Sequence, residues 1–416
     1  MKTNLSLTVT ALLVILMVSC RKDHHVVYHQ PGQQVITIGA MLALTGTGYS
    51  SGVASRAALE LAVMDINESL QKSGNQWSIS LVIADTETDT AKALEVISEF
   101  YRQGIRVVIG PYSSAELQAV RDFADLYGML VISPSSVAVS LAIPGDNIYR
   151  FVPTDVIQGK AMTAMLVSDK VKIIVPVMRD DLWGRDLVNA TGKEFIAQGG
   201  VVAQPVKYQP HGGDLQMALS QLDQQVGALS ANYSYNEIAI YMISFAEGAT
   251  LLSGAKKFSH LNSVFWYGSS AVAENSAALS DSGAALFAFT HGLPCPVYGL
   301  DDGAKHGWEP LQKRIVSAIG RQPDVYAYTA YDALWVASRS LLKCDKGAPV
   351  LSIRAPFEHE AWQYFGVSGN TRLDTNGDRA EGNYDFWSVK RDSTGFVWKR
   401  TARYQSSDGN LIRFKP

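Results

Sequence analysis

From Val35 onward, short runs of consecutive apolar residues alternate with longer stretches in which apolar positions recur at helical spacing. The first runs are VITIGAML, ISLVIAD, IRVVIG and MLVIS, with helical patterns from about Val53 to Leu70 and from about Thr90 to Tyr101. A continuous apolar run suits a strand buried on both faces, and amphipathic helices supply the cover. This order predicts a parallel, doubly wound α/β sheet. The segment YRFVPTD, Tyr149 to Asp155, interrupts the rhythm. It resumes with VKIIVPV, a helix from about Leu182 to Ala197, VVAQPVKY and a helix from about Asp214 to Val226. EIAIYMI, a helix from about Gly248 to Lys257 and SVFWYG complete it. Two α/β units with a break between them imply two lobes, and the cleft between lobes is the favoured place for a small ligand.

After about His291 the alternation is lost in LPCPVYGLDDG, before helices near Trp308 to Ile319 and across YTAYDALWVASRSLL. The stretch TRLDTNGDRAEGNYDFWSVKRD then reads as strand, turn and strand, with Asn376 and Gly377 at the turn. Asp374, Asn376 and Asp378 alternate as calcium ligands do, but the glycine follows the second of them and no glutamate stands at the twelfth position. A turn is therefore expected, and no metal.

Two successive strands end in the same polar turn. IRVVIG enters GPYSSAEL and MLVIS enters SPSSVAVS, each continuing into a helical pattern. Helix N-termini present unpaired N–H groups and partial positive charge, so hydroxyl-rich turns at the carboxyl ends of strands can hold an anion. Ser113, Ser114, Ser135 and Ser136 are the candidates; the plainer reading of each is an N-cap.

Lys2, the apolar run Leu5 to Val18 and Ser19 before Cys20 read as an export signal, too short for a comfortable membrane span. MVSC resembles the bacterial lipobox, which implies acylation at Cys20 and a mature chain anchored by lipid. Residues 21–34 are polar, contain Pro31 and Gly32, and read as a tether in which His24, His25 and His29 lack a metal-binding scaffold. The roughly 380 residues beyond it favour two domains. A net charge of −3 and the lack of a basic block argue against nucleic acid as a partner. Cys295 and Cys344 can form one disulfide in an exported chain or stay free. GYSSG at Gly48 to Gly52 fits the nucleophile elbow of α/β hydrolases, with Ser50 as nucleophile, but the only HGG, at His211, lies downstream instead of upstream.

Taken together, IGAMLALTG, AVMDIN, ADTETDTAKAL, VVIGPYSS, VISPSS, YRFVPTD, the YDA at Tyr331 and DTNGDRAEGNYDF resemble, in order and spacing, the type I periplasmic solute-binding proteins of the branched-chain amino acid (Leu/Ile/Val) group. The resemblance implies two Rossmann-like lobes with parallel sheets, joined by a three-crossover hinge, that close on a small-molecule ligand, no enzymatic activity, no cofactor, and an ABC permease as partner. Lobe 1 would comprise residues 35–154 with 292–368, and lobe 2 residues 155–291 with 369–416. By the same resemblance, Ser114 and the backbone at Ser135 receive the ligand carboxylate, and Trp183 and Phe245 supply aromatic surface. The family's ammonium-binding threonine falls at Val137, beside Ser136, and its acidic residue at Ser270. Those departures point to a ligand with an aromatic or apolar portion instead of a simple zwitterionic amino acid, unless Trp183, Asp181 or Glu247 holds a cation. A ligand-sensing receptor component is the other role open to such a fold.

Overall fold

The computed structural model describes residues 24–27, 34–210, 213–345 and 347–415. Cys20, His29 and His211 lie outside the described residues. The first sheet contains β1 (His24–Val27), β2 (Gln34–Leu42), β3 (Trp77–Asp85), β4 (Val107–Ile109), β5 (Leu130–Ser133) and β6 (Ile148–Arg150) in the order β1-β3-β2-β4-β5-β6. Its neighbours run parallel except β1, which comes from the segment expected to be a tether and pairs antiparallel along β3. Helices α1 (Tyr49–Lys72), α2 (Thr90–Arg102) and α3 (Ser114–Tyr127) connect these strands.

The second sheet is also parallel, with β7 (Ile173–Arg179), β8 (Val201–Val202), β9 (Val206–Tyr208), β10 (Ile238–Ile243) and β11 (Phe265–Gly268). Its helices are α4 (Asp155–Ser168), α5 (Leu182–Ala197), α6 (Leu215–Leu229), α7 (Gly248–Ala255), α8 (Ser276–Ser280) and α9 (Ser282–His291). After β12 (Cys295–Tyr298), the helices α10 (Lys305–Ile319), α11 (Val325–Leu341) and α12 (Val350–Gln363) return to the first sheet. The short hairpin β13 (Phe365–Gly366) and β14 (Gly369–Asn370) precedes β15 (Tyr384–Asp392), β16 (Gly395–Tyr404) and β17 (Leu411–Arg413). These last three strands join β12 in an antiparallel sheet.

The larger buried cluster holds Val175, Leu187, Ile240 and Trp266 together with Val297 and Phe386, so β12 and β15 pack with the second sheet. Another unites Ile38, Leu59, Ile109, Leu334 and Phe357 around the first. The chain thus passes between the units after β6, between β12 and α10, and between Arg379 and β15. The expected boundaries at 291/292 and 368/369 shift accordingly: β12 sits with the second core, and β14 pairs with β13 next to α12. Pro296 obscured β12 as a strand, yet a proline is tolerated on the edge of a sheet, where β12 lies. Helix α4 gives no amphipathic stripe because Ala161, Met162, Thr163, Met165 and Leu166 are all buried. Helix α12 buries Val350, Ile353, Phe357 and Ala361 at helical spacing, although Pro356 stands inside it.

Cys295 and Cys344 are free, so the disulfide does not form; Cys295 is buried with its Sγ 3.3 Å from the carbonyl of Leu293. The Asn376–Gly377 turn is present. Asp374 accepts the N–H groups of Asn376 (2.8 Å) and Asp378 (3.0 Å), but only Leu373 and Arg379 bridge across the turn, so long flanking strands are missing. Asp378 is committed to Arg150, which donates to its two oxygens at 2.5 and 2.7 Å. Among the described residues no helix is long and apolar enough to cross a membrane.

Both partners of that ion pair are almost wholly buried. Asp378→Ala would strand the Arg150 guanidinium in the interior, and unfolding in urea should show a loss of about 3–5 kcal/mol. A loss within 1 kcal/mol, on the order of a surface pair, would show that the guanidinium finds another partner or reaches water.

Candidate functional site

The two serine turns lie side by side at the carboxyl ends of β4 and β5, but they differ in construction. Gly110 ends β4 with a φ of 107°, and a Cβ there would stand 2.1 Å from the carbonyl oxygen of Met41; glycine lets the turn settle against β2. Ser113 is then the N-cap of α3 in a complete capping box, its Oγ accepting from the N–H of Glu116 at 3.2 Å and donating to Oε2 of Glu116 at 2.6 Å. For Ser113 the plainer reading holds. The second turn leads only into a single 3₁₀ turn, Val139–Leu141, so the expected second helix start is missing.

Ser114 takes the place of that helix as organiser of the second turn. Its Oγ receives the N–H groups of Val137 (3.3 Å) and Ala138 (3.2 Å) and the hydroxyl of Ser136 (2.9 Å). Ser135 turns its hydroxyl to the carbonyl of Tyr112 at 2.8 Å. Ser133, which sequence reasoning passed over, anchors the loop by donating to the carbonyl of Pro111 and accepting the N–H of Ser136.

Facing these turns from the second unit is an aromatic wall. Trp183, in the first turn of α5, stacks on Phe245 with ring centroids 5.0 Å apart, and Tyr112 meets Phe245 edge-on at 5.3 Å. Ser113, Ser114, Ser135, Val137, Trp183, Phe245 and Ser270 share one cavity with Tyr112, Ala271 and Tyr326. Ser136 supports it through Ser114. The space left is ≈ 10 Å³, about the volume one water molecule needs, because side chains fill the gap between the turns and the wall.

One guanidinium and two carboxylates cluster near the wall. Arg179, at the end of β7, lies over the Phe245 ring at 3.8 Å and is held by Asp181 at 2.5 Å and Glu247 at 2.8 Å. Burial alone would lower its pKa, but Glu247 and then Asp181 hold the guanidinium above its ordinary value. Asp181 and Glu247, considered as alternative cation holders, both engage Arg179, although Oε2 of Glu247 stays buried without a hydrogen-bond partner. The carboxyl nearest in connection to Ser270 is Asp155, at the start of α4. Its Oδ1 accepts from Gln158, whose own Oε1 receives the N–H of Ser270 at 2.8 Å. Asp155 is approached by Trp183, and Ser270 by Tyr326, but Asp155 Oδ2, Trp183 Nε1 and Ser270 Oγ are buried without a hydrogen bond of full geometry. Burial, above all, pushes the Asp155 carboxyl well above the usual carboxylate range.

Ser50 does not sit at an elbow. It lies within α1, accepting from Ser276 Oγ at 3.1 Å, while Ser51 donates to Asp324 at 2.5 Å. No catalytic constellation forms around it among the described residues.

A family model, the receptor family ligand binding region, matches residues 54–392. The chain belongs to that family. Over nearly its whole length it is similar to the uncharacterized protein MJ1266 of Methanocaldococcus jannaschii, at 26% identity over 95% of this chain and 96% of that one. It is also similar to the Leu/Ile/Val-binding protein of Escherichia coli K12, at 30% identity over 33% of this chain and 37% of that one. Among solved structures, an ABC transporter substrate-binding protein of Desulfitobacterium hafniense in complex with Leu superposes with a TM-score of 0.69 at 23% identity, covering 88% of this chain and 100% of that one. A solute-binding protein from R. palustris in complex with benzoate gives 0.69 at 19% identity, over 88% and 96%. The fold is the type I periplasmic binding fold, and this family and fold are those of binding proteins.

The raised pKa of Asp155 has a definite sign in stability. A carboxyl that titrates higher in the folded chain than its unfolded value of about 3.9 contributes fully below that value, and its contribution is lost as pH rises towards the folded pKa. Asp155→Asn should therefore gain on the wild type as pH climbs from about 4, by up to about 1.4 kcal/mol per pH unit within the titration window. Unfolding midpoints measured across pH check this. A difference that stays constant with pH would refute the shift.

Proposed function

We propose that this chain is an extracytoplasmic solute-binding lipoprotein that captures a small carboxylate with an apolar or aromatic portion between its lobes and hands it to an ABC importer. The observation that carries the reading is the pairing of Ser114 at the start of α3 with the Trp183–Phe245 wall across the cleft. A helix N-terminus favours an anion, and stacked rings favour an apolar body. Leu and benzoate, bound by two proteins of the same fold, share that carboxylate. Val137 and Ser270 offer no charge to an ammonium group, and Arg179 has taken Asp181 and Glu247, which supports benzoate-like or deaminated ligands over leucine itself.

Admission of such a ligand requires the lobes to part and the aromatic side chains to move, because the filled cleft has no room for it. The three crossings supply the hinge. A ligand that binds both lobes then favours closure, which is the signal a permease reads.

Thermal melting with leucine, isoleucine, valine, their 2-oxo acid analogues and benzoate tests the ligand class, since a ligand specific for the folded form raises the melting temperature. The oxo acids or benzoate should stabilise most. Stabilisation by the three amino acids alone would sink the proposal. Ser114→Ala should weaken binding of the best ligand by roughly 1–3 kcal/mol in calorimetry, and an unchanged affinity would remove Ser114 from the site. For the anchor, Cys20→Ala should shift the protein from the membrane to the soluble fraction. Retention on the membrane with the signal still cleaved would exclude acylation at Cys20.

A further inference from the structure

A second cavity, of ≈ 230 Å³, lies between the two cores beside the crossings. Glu274 borders it from the loop between β11 and α8, Trp308 from α10, Tyr328 from α11, and Tyr298 and Trp387 from β12 and β15. None of these residues lines the serine cleft. Walls from both units enclose the space.

Glu274 is the unusual member. It stands in left-handed backbone with a φ of 59°, a conformation that costs a glutamate energy and persists only when its surroundings impose it. No hydrogen bond or ion pair reaches its carboxylate among the described residues. Burial, followed by the nearby Asp324 and Asp385, pushes its carboxyl well above the usual range. The other carboxylates at this cavity are differently placed. Asp385 is clasped by Arg403 at 2.6 and 2.9 Å and reached by Arg400 at 3.3 Å, and Asp302 takes Arg403 at 2.8 Å. Lys305 also borders the cavity, but no ion pair joins it to Glu274. The hydroxyl of Tyr328 is buried without a hydrogen-bond partner.

The wall therefore combines one uncompensated carboxylate, one unsatisfied hydroxyl and the rings of two tryptophans and two tyrosines. Glu274 is half-buried, so a cation beside it would offset the desolvation of its carboxyl and favour the ionised form, and aromatic faces attract cations. An ammonium group with a few attached carbons answers both demands. We propose that this cavity is a second ligand site, for a small organic cation of the alkylammonium class, with Glu274 as its counter-ion and Trp308, Tyr328 and Trp387 as its aromatic walls. The inference is independent of the ligand proposed for the serine cleft.

Calorimetry and thermal melting of the full chain with tetramethylammonium and butylammonium chloride, against sodium chloride at equal ionic strength, test it. Saturable binding of one or both is expected in the wild type, weakened at least tenfold in Glu274→Gln and retained in Ser114→Ala. Trp308→Leu should weaken it too, and it decides the matter by the same criterion if Glu274→Gln does not fold. Absence of saturable binding in the wild type overturns the proposal, as does equal binding by Glu274→Gln. Loss in Ser114→Ala with retention in Glu274→Gln would place the cation in the serine cleft and overturn it as well.

Discussion

The buried pair between Arg150 and Asp378 holds together the parts of this molecule that local sequence cannot. Arg150 ends β6, where the chain first leaves the first unit, and Asp378 precedes the third crossing. The backbone repeats the link, since the N–H of Arg150 donates to the carbonyl of Gly377 and the N–H of Arg379 to the carbonyl of Arg150, both at 2.9 Å. Two crossings are thereby fastened to each other and move as one. The same guanidinium donates to the carbonyl of Ala138 at 2.6 Å, and the N–H of Ala138 in turn reaches Ser114. The crossings and the second serine turn share one hydrogen-bonded chain. Desolvating two charges is expensive, so such a pair contributes more to a unique geometry here than to net stability.

A second balance of charge shapes the cleft. Arg179 brings a guanidinium against the Phe245 ring of the aromatic wall, and Asp181 and Glu247 both pair with it. The wall is thus rigid and polar beneath but apolar on its face. On the other lobe, the capping box of α3 uses Ser113 and Glu116 entirely for the helix start, leaving Ser114 as the hydroxyl that touches both turns. The division of labour between adjacent serines is set by one residue of helical phase.

Much of this was legible in the sequence, and the limits have physical causes. The strands and most helices of the two parallel sheets followed from apolar runs and helical period, with α5 found to the residue and α1 and α2 to within a few. Ser114, Trp183, Phe245 and Ser270 do converge on one cavity. Periodicity missed α4, which is buried on several sides, and proline concealed α12. Tyr326 and Asp155 were missed because nothing local marks them: α11 starts opposite Ser270 only because the second crossing returns the chain to the first unit. Tyr112 was visible between Pro111 and Ser113 but was passed over beside the hydroxyls. The alternating acids at Asp374 to Asp378 resembled metal ligands, while their partners proved to be backbone N–H groups and Arg150.

The strand β1 alters what the segment before Val35 means. It covers the outer edge of β3, which would otherwise present a row of unpaired N–H and C=O groups. An open edge of a parallel sheet is a template for strand addition by another chain. A chain beginning at Val35 would keep every residue of the cleft and lose this shield, becoming prone to edge-to-edge association. Residues 24–27 thus serve the sheet as an edge guard and not only as a connection.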